Sequence, residues 1–270
     1  MINNMIALSS GNVEVVIDAE HGARLSSVRF GGTELLVQRT DGDSFSWGCY
    51  PMAPWAGRIR NGIFEHQGSS VQLPINSAPH AIHGLVHDAV WQVVNTSPTS
   101  ATLRVDLDQR WPFAGWVEHC ISVDSTSVNL QLTMHATEHK DEMISMPAQV
   151  GWHPWFVRPV QLEAKFKTMY VRDSDGIAGA QRALQKFDLM KSPLDDCFSD
   201  AVTAPLLNFE NGPTRLESDC SHWVVYNEPS HAICVEPQSG PPNGLNSEPL
   251  VVSPNHPLTR YFRLTALGYR

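Results

Sequence analysis

The chain has 270 residues, 42% of them hydrophobic, enough to bury a sizeable core in one large all-β domain or two small ones. A formal net charge of −9 and a pI near 5.7, without any basic run, exclude the clustered Lys and Arg that a nucleic-acid backbone or an anionic membrane surface requires. Cys49, Cys120, Cys197, Cys220 and Cys234 are odd in number and form no CxxC pair, so neither disulfides nor a Cys-based zinc site is expected.

The opening MINNMIALSSGN carries no charged leader and no long apolar run, which predicts a cytoplasmic protein without a signal peptide or membrane span. Strand-like runs then follow in order at 13–18, 33–37, 90–94, 103–107, 117–123 and 128–134. The alternation is clearest where Leu103, Val105 and Leu107 interleave with Arg104, Asp106 and Asp108, and where Val128, Leu130, Leu132 and Met134 interleave with Asn129, Gln131 and Thr133. A period of two puts one face inside and one outside. Only 179–190 reads as a helix, and strands return at 222–226, 232–236 and 261–267. Short strands separated by Gly, Pro, Asn and Ser clusters predict an all-β antiparallel sandwich. The absence of repeats and linker-like composition predicts a single domain over residues 1–270.

GxGxxG, GxxxxGK and GxSxG are all absent, against dinucleotide, nucleotide and α/β-hydrolase readings. His135-Ala136-Thr137-Glu138-His139 spells HxxEH, but a zincin needs that motif on a helix, and here it follows a period-two run; it reads as a strand end and a turn. Four loop-rich segments place polar groups beside aromatics. In PMAPWAGRIRNG, Arg58 either forks onto sugar hydroxyls or is a surface arginine. In AIHGLVHDAVW, His83 ends an apolar run and either binds a hydroxyl or is a hydrogen-bonded structural residue. GWHPWF encloses His153 with Trp152, Trp155 and Phe156, a composition that suits either a sugar face or plain core. AICVEPQSGPPNG ends an apolar strand on Glu236, which is either a base with a raised pKa or an ordinary surface carboxylate.

Taken in order, PMAPWAGRIRNGIF, HGLVHDAVW, GWHPWF, LDDCF and VEPQSGPPNGLN resemble the aldose 1-epimerase (galactose mutarotase-like) family over roughly residues 45–245. The resemblance implies a β-supersandwich, no cofactor and no metal. It implies Glu236 as general base and His153 as general acid. His83, Arg58 and an aspartate of the DDCF motif, Asp195 or Asp196, are implied sugar contacts, with Gln238 and Trp155 lining the pocket. The implied reaction is anomer exchange of a hexose such as glucose or galactose. The expected partner is a small sugar, with no nucleic acid or membrane, and the expected state is a monomer or homodimer. The chain departs from the better-known galactose mutarotases in its shortness, in having no asparagine before Arg58, and in His87 beyond the HG motif. Rival readings are a hexose-6-phosphate 1-epimerase, for which Arg58, Arg60 and Arg158 are candidate phosphate ligands, a non-catalytic sugar-binding protein, and a His-rich metalloenzyme.

Overall fold

A computed structural model describes residues 5–40, 45–137, 145–184 and 193–269. Seventeen antiparallel strands join in one hydrogen-bonded network among the described residues, arranged as two layers. The first layer runs from Met5–Ser10 through Val13–Asp18, Arg24–Phe30, Cys49–Met52, Gly151–Val157 and Ala232–Gln238 to His222–Tyr226. The second runs from Gln92–Thr96 through Ser100–Asp106, Gly115–Val123, Ser127–Ala136 and Leu258–Ala266 to Gly212–Ser218. Two long strands, Gln161–Arg172 and Asp195–Phe209, belong to both layers. Asp195 to Ser199 pair with His222–Tyr226 in the first, while Leu206 to Phe209 pair with Gly212–Ser218 in the second. The fold is thus an all-β supersandwich.

The layers differ in how their faces are used. In the second layer, burial alternates along Gly115–Val123, as a half-solvated sheet requires. In Gly151–Val157 and Ala232–Gln238 nearly every residue is buried, because both faces are covered. Trp152, Phe156, Ile233 and Val235 enter the core between the layers, whereas Trp155, Ala232 and Cys234 join a second cluster with Tyr50, Met52 and Ala56 on the opposite face. Period two therefore sorts each of these strands into a core-facing set and a second set that is buried although it faces out of the sandwich.

The predicted strands at 13–18 and 222–226 form with those bounds, and the others form with shifted ends. The run at 33–37 shortens to Thr33–Glu34, after which Leu36 makes an isolated bridge to Phe156. The helix predicted at 179–190 does not form in its described part: Ala178–Leu184 is a strand paired with Gln161–Arg172, and 185–190 lie outside the described residues. Helix propensity is a weak prior, and an open edge of a long strand overrides it. His135 lies in Ser127–Ala136, stacked on Trp116 at 3.7 Å, so the HxxEH letters start on a strand; Glu138 and His139 lie outside the described residues. All five cysteines are free thiols. Among the described residues, no helix is long and apolar enough to cross a membrane.

Phe262, fully buried, packs between the layers against Trp152 at 5.8 Å and Trp223 at 6.3 Å. Replacing it with Ala leaves a cavity at the seam, so Phe262→Ala is expected to lower unfolding stability by about 3–5 kcal/mol. Urea denaturation measures this, and a loss below about 1 kcal/mol would mean the layers collapse onto the gap.

Candidate active site

The second buried face of the central strands is the floor of a cavity of about 340 Å³. Gly151 pairs with Gln238 and Trp155 with Cys234, a register that sets His153 across from Glu236 with both side chains on the cavity face. His153 Nε2 lies 3.2 Å from Glu236 Oε1, with the residues 4% and 2% exposed. On its other flank His153 pairs with Tyr50, and its imidazole stacks on that ring at 4.9 Å and on Trp155 at 5.3 Å. His83 meets it edge-on at 4.8 Å. The ring plane is thereby fixed, and Nε2 points at the carboxyl.

Backbone contacts between distant motifs build the walls. Arg58–Ile59 pairs with Ala81–Ile82, which brings Arg58 beside His83. The His83 N–H donates to the Gly57 carbonyl at 2.9 Å, Leu85 N–H to Ala53 at 2.8 Å, and Asn243 N–H to Arg58 at 2.6 Å. Gly84 has φ +76°, and a Cβ there would lie 2.0 Å from the Ala53 carbonyl oxygen. His83 itself sits at φ 62°, a left-handed conformation that costs a non-glycine residue energy and is tolerated here because three segments clamp it.

The structure brings together most of the residues singled out in the sequence. Glu236, His153, His83, Arg58, Asp195, Gln238 and Trp155 all line the cavity. Gln238 Nε2 donates to Glu236 Oε2 at 3.0 Å, and its own Oε1 is buried without a partner. Asp195 Oδ2 lies 3.0 Å from Arg58 Nη1 and 3.4 Å from Arg172 Nη1. Asp196 does not line the cavity; its neighbours in the strand, Asp195 and Cys197, do, and Asp196 instead holds Arg172 Nε at 3.0 Å from behind. Trp155 does not offer a ring face, because His153 and His231 flank it in near-parallel stacks at 5.3 and 6.5 Å. Its indole N–H is buried beside the Tyr50 hydroxyl.

Sequence reasoning did not single out Arg172, Tyr50, Phe45, Asn76, Tyr226 or Glu228, which also line the cavity. Tyr50 stood inside a motif next to Pro51 and was findable. Arg172 ends a 12-residue strand with no motif, and only the pairing of that strand with Asp195–Phe209 carries it to the site.

Burial dominates the electrostatics. It pushes the Glu236 carboxyl well above the usual carboxylate range, reinforced by the charge of Asp195 and opposed by Gln238 and Arg58. It pulls the His153 imidazole well below the usual range in the same way. Both groups prefer their neutral forms, so the pair holds one proton along the 3.2 Å contact rather than a stable ion pair. Burial also lowers His83, and brings His87 and His119 down to about 4. Donor atoms of His153, Cys234 and Glu236 lie within 4.8 Å of one another, the one set of three or more metal-capable groups among the described residues.

A buried imidazole and carboxyl are thus paired on the outer face of a supersandwich layer and walled by polar groups. The chain belongs to the aldose 1-epimerase family, whose family model matches residues 4–262. It is similar to the uncharacterized protein YihR of Escherichia coli K12, at 26% identity over 272 residues covering 90% of this chain and 86% of the relative. Among solved structures it superposes on a galactose mutarotase-like protein from Clostridium acetobutylicum, with TM-score 0.87, 15% identity and coverage of 98% and 95% of the two chains. A galactose 1-epimerase from Lactobacillus acidophilus superposes with TM-score 0.80, 16% identity and coverage of 98% and 95%. At these identities the structural likeness speaks for the fold.

Two outcomes follow from the geometry. Gly84→Ala must either push Ala53 away or abandon the left-handed turn, and is expected to cost at least about 2 kcal/mol in urea denaturation. A midpoint matching the wild type would show that the loop gives way freely. The second concerns pH. His83, His87, His119 and His153 have folded-state pKa values below the unfolded value of about 6.5, so unfolding takes up protons and stability falls as pH drops from about 6.5 towards about 4. Glu236 and Asp196, raised on folding, act in the opposite sense, but as two groups against four. Thermal unfolding across that range is expected to show a steady loss of Tm, and a flat profile would contradict four buried neutral imidazoles.

Proposed function

We propose that the protein is an aldose 1-epimerase that interconverts the α and β anomers of a hexose such as glucose or galactose by acid–base ring opening and closure. The observation that carries this reading is the 3.2 Å approach of His153 Nε2 to Glu236 Oε1 on the floor of the cavity. The anomeric hydroxyl oxygen and the ring oxygen are bonded to the same carbon, so an acid and a base that serve both must themselves be neighbours. In the opening step a Glu236 carboxylate oxygen removes the C1-hydroxyl proton. The C1–O5 electron pair leaves to O5, which takes a proton from His153 Nε2, and C1 becomes the aldehyde carbon. Rotation about C1–C2 exposes the other carbonyl face, and closure with the roles exchanged returns the opposite anomer. The pair carries one proton before and after each cycle, so the reaction needs no net proton source.

The reactive form, carboxylate plus imidazolium, has the same proton count as the neutral form that burial favours. The two differ by one transfer along an existing hydrogen bond, and a sugar hydroxyl entering the site supplies polar contacts that burial withholds. Asp195, held by Arg58 and Arg172, presents a fixed acceptor to a sugar hydroxyl, while His83 and Gln238 add polar contacts around the ring. The charge pattern favours an uncharged sugar over a phosphorylated one. Arg58 and Arg172 are matched by Asp195 and Asp196, and Arg60 is bridged to Asp173 and to Asp175, so these cations already face carboxylates. Arg158 is spent on the carbonyls of Ala232 and Asn227.

Polarimetry of freshly dissolved α-D-glucose and α-D-galactose tests the reading. The wild type is expected to accelerate anomer exchange, and Glu236→Gln and His153→Asn each to lower kcat by at least about 10²-fold. Activity should fall on both sides of an optimum, as the pair gains a second proton or loses its only one. A variant that keeps near-full activity would remove that residue from the chemistry, and a wild type inert on both sugars would count against the enzyme reading.

A further inference from the structure

His153, Cys234 and Glu236 place an imidazole nitrogen, a thiol sulfur and a carboxylate oxygen within 4.8 Å of one another, and of the three His153 and Glu236 line the cavity. The antiparallel register accounts for the cluster. Cys234 and Glu236 are two residues apart on one strand and so share its cavity face, and His153 stands opposite Glu236 on the next strand. All three are buried. The sulfur has no role in the acid–base chemistry proposed above, which leaves a third donor beside the pair unexplained.

We propose that these three side chains form a binding site for a thiophilic divalent cation, zinc being the ion they fit, and that an ion bound there blocks the sugar chemistry. The donor set decides the class of ion. One sulfur, one nitrogen and one carboxylate oxygen suit zinc, whereas magnesium and calcium require oxygen ligands throughout. With His153 and Glu236 both lining the cavity, a fourth ligand can reach the ion from there, as at an accessible zinc site rather than a closed structural one. The distances are close to those needed. Zinc bonds of about 2.0–2.3 Å set tetrahedral ligand separations of roughly 3.3–3.8 Å. The His153–Glu236 separation of 3.2 Å lies at the short edge of that range, to within about 0.1 Å, so the main adjustment is for the Cys234 thiol to swing inward by roughly 1 Å. Tyr50 and Trp155 hold the imidazole plane in place, so orienting the nitrogen ligand costs little. The ion takes the position of the proton that His153 and Glu236 share and occupies the electron pairs the base and acid need. That inhibitory consequence rests on the proposed function; the binding itself does not.

The test uses the full chain without sugar. Purified protein is incubated with zinc chloride, freed of unbound ion by gel filtration and assayed for metal content, with affinity measured by calorimetry. One zinc per chain is expected, with no displacement by magnesium. Cys234→Ser and Glu236→Gln are expected to weaken binding by at least about tenfold, since loss of a direct ligand should exceed the 10–100-fold cost of losing an outer-shell partner. Thermal unfolding checks that each variant is folded. No zinc retained by the wild type, equal retention by Cys234→Ser, or displacement by magnesium would each overturn the site. In a second arm zinc is added during polarimetry, where it should stop anomer exchange by the wild type. A wild type that binds zinc through Cys234 yet never accelerates mutarotation would leave the metal site standing and sink the proposed function instead.

Discussion

The organisation of the site depends on one cross-strand contact between an imidazole and a carboxyl that are both denied water. Neither group is stable there in its charged form, and each relieves the other by sharing a proton. That dependence constrains everything nearby. The strands must pair in a register that sets His153 opposite Glu236, the imidazole must be held by Tyr50 and Trp155, and Gln238 must cover the second carboxyl oxygen.

The pair is dry because the two central strands are buried on both faces. A sandwich layer ordinarily shows its outer face to solvent, as Gly115–Val123 does. Here the outer face of Gly151–Val157 and Ala232–Gln238 carries its own small apolar cluster and the cavity. The same strand thus anchors the core through Ile233 and Val235, joins the second cluster through Cys234 and reaches the cavity floor through Glu236. One backbone serves both the core and the His153–Glu236 pair, so a residue two positions from Glu236 is a structural neighbour of it as well.

The walls follow a different logic. They come from loops, and loops hold position only where their polar backbone groups are paired. The Arg58–Ile59 and Ala81–Ile82 ribbon, the turn at His83 and Gly84, and Asn243 satisfy one another's backbone groups across long stretches of sequence. Against that frame Asp195 and Arg172 arrive from the two long strands shared by the layers, so the junction of the layers also completes the pocket. The charged wall is internally balanced by its aspartate–arginine contacts.

The strand-rich class, the exposed second layer and the local identity of His153, Glu236, His83 and Arg58 as unusual polar residues were legible in the chain, because period-two burial and Gly/Pro-bounded loops are properties of neighbours in sequence. The same local reading erred at 179–190, where the available edge of Gln161–Arg172 outweighed propensity in the part described, Ala178–Leu184. It also left Asp195 and Asp196 open, since adjacent residues point to opposite faces and only pairing decides which face is the cavity. Arg172 carried no local signal at all. By itself the sequence determined that the chain is β-built, that it carries an acid–base pair of residue types and that its motifs are spaced as in one family. Only the tertiary structure decided that His153 and Glu236 meet, that both are dehydrated, that His153 and His231 flank the Trp155 ring, and that Cys234 stands beside the pair. Each of these is set by the register between strands far apart in the chain, which no local pattern encodes.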